Sequence, residues 1–573
     1  MMTRIKIVLV AFSIMAMSAM SCSKIENRTK EEADLVVYGN IYTSEKDGLH
    51  AEAFAVKDGK YIYVGDRDGA RRYVGDATNV IEHPDGMIMA GCTEGHGHYI
   101  TESIFKQLCY LKSESFEDCL DEIRDYYAAH KDIKQFWGYG WYEWNFSEEE
   151  LENFRIELDK IIPNIPAFIC DREMHQGWVN TKCLQAACID DATTVLEGGT
   201  IYRKDGVPTG RIQDQACGYV RLKVLEPLAD VSTYRKAVMD AQNNLLSMGY
   251  TNYLDAWLSY DNSPNAYSAL QSVDNDGDLK INVIGCYEVD SYKIKTSEDY
   301  MRETATAVDW KGRYSSAHFT PNTIKLFADG CTESFQGYVY DAYPATGERG
   351  TKNWDNELLN QTVAYMNSKD MLVHIHSYGD AAATMVVDAF AYSADKNGKH
   401  FRNGIGHAAS VIPADMDRIA KYGIGVAENF CWHNLVAAED DVEGVGADLF
   451  YGMYPMKSFF DHGVPVSSST DAPCSVGYPA DPFGIVENML TGINPLSPEE
   501  PRTPSECTDI DQAIASLTIN GAWQLGLEDE RGSISKGKYA DFQIIDRDIT
   551  KVEKTDVHNT VIEAVYFEGK RVI

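Results

Sequence analysis

The chain has 573 residues, 44% of them apolar and 11% aromatic, a composition that builds packed cores and excludes a disordered chain. One compact core does not use up this length, so a large domain with at least one smaller module is expected. Acidic residues number 87 against 52 basic ones, for a formal charge of −35, and such a surface repels phosphate backbones and anionic headgroups. This argues against a nucleic-acid partner; the ordinary reading of the charge is solubility.

The first residues read as an export signal. Arg4 and Lys6 precede a mostly apolar run that stops at Ser21-Cys22, and residues 1–21 are expected to be a signal peptide removed from the mature fold. Ala19-Met20-Ser21 before Cys22 resembles the lipobox of bacterial lipoproteins, in which the cysteine is acylated. Cys22 is thus the expected lipid attachment point and residues 22–32 a polar tether, with cleavage nearby by an ordinary signal peptidase as the other reading because Ala19 stands where the lipobox has leucine; either places the protein in the periplasm or at the cell surface. No other stretch is long and apolar enough to span a bilayer, so membrane contact runs only through that anchor. Of the 13 cysteines none forms a Cys-x-x-Cys pair, and several sit in apolar runs, so most are expected as buried small hydrophobes.

Beyond the tether, Leu35-Val36-Val37-Tyr38 and the run from Ala53 to Val64, with its Asp58-Gly59 turn, read as short antiparallel strands. Residues 540–546 and 561–570 repeat that texture, so residues 33–85 and 532–573 are expected to build one β-sandwich module from both chain ends. Residues 86–531 then form a single inserted domain.

That domain alternates short apolar runs with longer helix-compatible segments, the pattern of a parallel sheet covered by helices. Strands are expected at residues 86–92, 250–255, 280–287, 323–327, 371–376, 404–407, 423–428 and 464–469. Eight such units make an α/β fold, a (β/α)8 TIM barrel, whose reactive groups gather at the C-terminal strand ends. The long interval 99–247 is expected to carry an insertion over that mouth.

The strand ends carry a constellation. His96 and His98 follow the first strand, Lys325 lies in the fourth, His376 ends the fifth, His407 the sixth, and Asp471 follows the eighth. Each has an ordinary reading alone: a strand lysine in an ion pair, a turn-capping aspartate, a hydrogen-bonded core imidazole. Together they converge on one rim. Neutral imidazoles suit zinc-like ions, and a cationic lysine inside an apolar strand is costly beside them. His374 shares the inward face with His376 but sits deeper, which favours packing or support of a ligand over ligation.

That order resembles the metal-dependent amidohydrolase superfamily, and more narrowly amidohydrolase family 3, the N-substituted formamide deformylase-like group. The narrower likeness rests on Gly140-Trp141-Tyr142-Glu143-Trp144, His175-Gln176-Gly177-Trp178-Val179-Asn180, Gly206-Val207-Pro208-Thr209-Gly210-Arg211, Lys325-Leu326-Phe327-Ala328-Asp329-Gly330 and His376-Ser377-Tyr378-Gly379-Asp380. The resemblance implies two divalent metal ions, expected to be zinc, with iron or manganese as the alternatives. It assigns one ion to His96, His98 and Asp471 and the other to His376 and His407, with Lys325 carboxylated by CO2 between them. Asp471 is then also the catalytic residue, taking a proton from the attacking water and passing it to the departing amine. His175, Trp178 and Asp255 are candidate substrate contacts, with scaffolding as the other reading of each.

Several neighbours depart from the family pattern: Ala90-Gly91, Glu94, Gly406, Ser469-Thr470 before Asp471, and Asn429-Phe430. The metal chemistry therefore transfers better than the substrate. The implied activity is hydrolysis of a carbon-nitrogen bond in an amide. An esterase or lactonase would use the same groups; a deaminase of this superfamily generally lacks the lysine and has His-x-x-Glu after strand five, where Gly379 stands here. A binding lipoprotein that keeps the barrel without catalysis is the alternative from another class.

Overall fold

The computed structural model describes residues 32–573 apart from residues 47, 194–198, 226, 259, 262, 333, 434–438, 476–479 and 499–502. The export signal, Cys22 and residues 23–31 of the tether lie outside the described residues.

Eight parallel strands form one sheet in chain order: Cys92–Gly97, Tyr250–Asp255, Asn282–Glu288, Phe319–Phe327, Leu372–Ser377, Gly404–His407, Gly425–Glu428 and Val466–Ser468. The sheet nearly closes. Across the seam Ser467 Oγ donates to Gln524 Oε1, and Gln524 Nε2 donates to the Gly95 carbonyl at 2.8 Å. Above it, Asp471 N donates to His96 O and His98 N to Ala472 O, both at 2.8 Å. A Cβ on Gly95 would lie 2.6 Å from Ser467 Oγ and 2.8 Å from the Ser468 carbonyl, so this approach of first and last strand requires glycine. Alternation along the strands sorts the side chains: Ile324, Leu326, Val373 and Ile375 join the apolar core, while Lys325, His374 and His376 are turned to the barrel axis.

One expected strand belongs elsewhere. Residues 86–92 are not the first barrel strand; Met87, Ile88 and Met89 end the strand Asn79–Ala90, which pairs parallel with Leu35–Tyr42 and antiparallel with Phe542–Ile545. The true first strand, Cys-Thr-Glu-Gly-His-Gly, carries no apolar run because its side chains serve the site, and in sequence it resembles a loop.

Both chain ends do meet in one seven-stranded sheet, which also includes His50–Lys57, Lys60–Gly65, Ile562–Phe567 and Lys570–Arg571. It is a single rolled sheet in place of the expected two-layer sandwich. Its turn at Gly59 meets its far half, with Ala540 N donating to Gly59 O at 2.8 Å and Tyr61 N to Lys538 O at 2.9 Å. Phe54 and Phe542 pack edge-on at 4.9 Å inside the roll.

Charged groups tie this module to the barrel. His318 lies 2.7 Å from Asp274 and 3.2 Å from Glu568, and Arg531 Nη2 is 2.7 Å from Glu568. Burial pushes the Glu568 carboxyl up, but His318 and Arg531 outweigh it and hold it at about 2, against 4.5 ordinarily. A carboxyl depressed in the folded state contributes stability that is present above its unfolded value and lost as pH falls toward the folded one. Glu568→Gln is therefore expected to flatten the loss of thermal stability between about pH 5 and pH 2 and to lower Tm at pH 7, as read by calorimetry.

The insertion between the first two barrel strands has its own six-stranded sheet: Cys109–Tyr110, Phe136–Trp141, Ala167–Asp171, Gln176–Val179, Gly199–Lys204 and Val207–Asp214. Its core holds Trp141, Phe154, Leu158 and Trp178. The helix Val231–Ser247, expected within the insertion, packs on the helix Asn265–Asn275 as part of the barrel's outer layer. Among the described residues all twelve cysteines are free thiols, most of them buried, and no helix is long and apolar enough to cross a membrane.

Candidate metal centre

Five strand ends deliver the site. His96 Nε2 lies 3.1 Å from Lys325 Nζ and 3.4 Å from Asp471 Oδ1, and His98 Nε2 is 3.0 Å from the same carboxylate oxygen. The His407 ring stands 4.7 Å from that of His96 and 4.6 Å from that of His376. His96, His407 and Asp471 each offer a donor atom within 4.8 Å of the others, and all three are buried.

These donors fit a divalent ion. Burial, with Lys325 adding to it, drives His96 and His374 well below the ordinary imidazole range, and burial together with His407 does the same to His376. Burial pushes His407 down to about 4 against the pull of Asp471. These four imidazoles are therefore neutral at pH 7, the form that ligates. Burial would raise Asp471, but His407, His98 and Lys325 outweigh it and hold the carboxyl below its usual range, so it is ionised. Lys325 is pushed down to about 8 by burial, with Asp471 opposing. His376 Nε2 is buried without a hydrogen-bond partner, an orphan that a cation would satisfy.

Neighbours hold the donors in place. His374 Nε2 meets His96 Nδ1 at 2.8 Å, and Asn429 Oδ1 meets His407 Nδ1 at 2.8 Å. Glu94 accepts the His96 and Thr470 amides at 3.0 Å each, stitching the first strand to the segment that carries Asp471. Asp329 accepts the amides of Tyr338 and Gly379 at 2.9 and 2.8 Å and lies 4.0 Å from His376 Nε2. His407 and Asp471 both have left-handed backbones, φ 68° and 53°, strain of about 1–3 kcal/mol each that the surrounding bonds sustain.

The three candidate substrate contacts part ways. His175 reaches the site: its ring is 5.4 Å from that of His376, its Nδ1 meets Asp214 Oδ1 at 2.8 Å, and its Nε2 is 3.6 Å from Cys331 Sγ. Asp255 is buried beside it all, accepting from Tyr253 Oη at 2.9 Å and from the Trp257 amide at 3.2 Å; burial pushes it up to about 6, with His98 pulling it down. Trp178 is a correction. It is fully buried in the core of the insertion, stacked on Phe154 at 4.2 Å and donating to the Phe154 carbonyl at 2.6 Å, because alternation along Gln176–Val179 turns it away from the mouth. Trp178→Ala is expected to cost the insertion about 3–5 kcal/mol, seen as a lower urea midpoint with bound metal unchanged. Asp214, Cys331 and the role of Asp329 escaped the sequence reading; the Ala328-Asp329-Gly330 motif marked the position of Asp329 but not its function.

The model of the amidohydrolase family matches residues 81–573. The chain belongs to the amidohydrolase family. That makes it a hydrolase acting on carbon-nitrogen bonds. This amidohydrolase is similar to the putative amidohydrolase YtcJ of Bacillus subtilis (strain 168), 25% identical over 557 residues that cover 93% of this chain and 98% of that protein. It is 22% identical over 551 residues to the N-substituted formamide deformylase of Arthrobacter pascens, covering 93% and 97% of the two chains. In fold it resembles the crystal structure of an uncharacterized metal-dependent hydrolase from Pyrococcus horikoshii OT3, with a TM-score of 0.70, 22% identity, and coverage of 91% of this chain and 99% of the other. The amidohydrolase's glycine at 406 has a structural reason. A Cβ there would lie 2.7 Å from His96 Nδ1 and 2.9 Å from His374 Nε2, so glycine leaves room for the contact between those two imidazoles.

Proposed function

We propose that the protein is an exported, lipid-anchored hydrolase of small-molecule amides with two divalent ions at the barrel mouth. The observation that carries this reading is the convergence of His96, His407 and Asp471 within 4.8 Å, with Lys325 Nζ 3.1 Å from His96. His96, His98 and Asp471 would hold one ion, His376 and His407 would hold the other, and carboxylated Lys325 would serve both. Bound divalent ions lower the pKa of a water and polarise the scissile carbonyl.

The chain's own groups do the rest. Asp471, ionised and fixed through its amide to His96 O, receives the proton of the attacking water and delivers it to the amide nitrogen as the C–N bond breaks. One water is consumed, and a carboxylic acid and an amine result. Lys325, lowered to about 8, has an accessible neutral amine whose lone pair adds to CO2; the new N–C bond forms a carbamate as one proton leaves. His374, Asn429 and Glu94 keep the donors oriented.

The test is metal analysis of the purified protein, chelation and re-addition, and turnover of a panel of amides with esters and lactones alongside. Metal-dependent amide cleavage supports the proposal; protein that binds no divalent metal ends it. For the anchor, Cys22→Ala is expected to move the protein from the membrane fraction to the soluble one.

A further inference from the structure

His175 comes from the insertion, Cys331 from the loop after the fourth barrel strand, and His376 from the end of the fifth. One donor atom of each lies within 4.8 Å of the others. His175 Nε2 stands 3.6 Å from Cys331 Sγ. The opposite ring nitrogen of His175 is engaged by Asp214 at 2.8 Å, a carboxylate-histidine pairing that fixes the ring and, against burial, holds the imidazole up at about 9, so a bound ion takes the place of the Nε2 proton. His376 Nε2 is buried and has no hydrogen-bond partner.

Three donors of this kind, two imidazoles and a sulfur, are a soft set. We propose that His175, Cys331 and His376 form an ion site of their own that takes a thiophilic divalent cation, zinc or cobalt, between the insertion and the barrel. A thiolate selects such ions over magnesium or calcium, and three protein ligands leave a position for water or a substrate atom. His175 also borders the cavity lined by Met174, Asp214, Arg221, Trp257 and Phe327, where a substrate group would meet it. The six strand-end residues then divide differently: His407 joins His96, His98 and Asp471 around the inner ion, and His376 turns to the insertion for its partners. An ion held this way fastens the insertion to the barrel mouth, so the outer ion's affinity depends on residues of the insertion.

This inference rests on the metal-dependent reading above, and cobalt separates the two. Metal-free protein titrated with cobalt(II) is expected to bind about two ions and to show a thiolate-to-cobalt charge-transfer band in the near ultraviolet. Cys331→Ser is expected to lose the band and about one ion while keeping the visible absorption of the other. His175→Asn, which leaves position 331 untouched, is expected to lose the same ion. A cobalt protein without the charge-transfer band, a band that survives in Cys331→Ser, or full cobalt content in His175→Asn overturns the site and leaves the metal-dependent reading standing. Protein that takes up no cobalt overturns both.

Discussion

Asp471→Asn is expected to lower kcat on a small amide by roughly 10³-fold or more, with KM changed much less. The exchange keeps the shape of the side chain but removes its charge and basicity. In the wild-type protein His407, His98 and Lys325 together overcome the burial that would otherwise protonate the carboxyl, and the result is an ionised group in a buried pocket. Its Oδ1 is within 3.0 Å of His98 Nε2 and 3.4 Å of His96 Nε2, so it stands where an ion and a proton acceptor are both needed. Steady-state kinetics with metal content measured on the same sample distinguishes the two roles. Loss of rate with metal retained identifies the proton carrier, loss of both identifies the ligand, and an unaltered rate removes Asp471 from the mechanism.

Lys325→Met is expected to reduce activity by about 10²-fold or more and to weaken retention of the metal, without lowering Tm. Methionine fills the same volume, and replacing a buried ionisable group by a packed apolar one is often neutral or stabilising. A loss of activity at constant or raised Tm therefore reports chemistry and not misfolding. Burial pushes this lysine down to about 8, which makes its neutral, CO2-reactive form accessible near neutral pH. Wild-type protein prepared free of CO2 is expected to regain metal binding and rate on addition of bicarbonate, and Lys325→Met is not. Equal recovery by both would show that the carbamate plays no part.

The site was unevenly legible. Lys325, His374 and His376 lie in apolar strands, where a period of two brackets each polar residue with buried aliphatics and marks its face. Trp178 sat in a motif that suggested the mouth, yet its side chain completes the core of the insertion; no local pattern distinguishes an aromatic that packs a small core from one that greets a substrate. His175 could be suspected, but Asp214 and Cys331 lie 39 and 156 residues away from it in the chain, too far for spacing to connect them. The misplacement of the first barrel strand has a related cause. Hydrophobicity locates strands that bury apolar faces, and Cys92–Gly97 spends its positions on two glycines, the candidate ligand His96 and the buried polar Thr93 and Glu94.

The sequence by itself determined the alternation of strands and helices, the meeting of both chain ends in one sheet, and the order of the six residues at the strand ends. The alternation follows from local periodicity, which the chain carries whatever its surroundings, the pairing of the ends from their like strand texture, and the order of the six residues from short motifs along the chain. Tertiary structure alone decided that the terminal sheet is rolled, that Gln524 bridges the barrel seam, and that His376 faces the insertion as well as His407. Each of these depends on how strands distant in sequence are brought within a few ångströms, and burial then sets which groups stay charged.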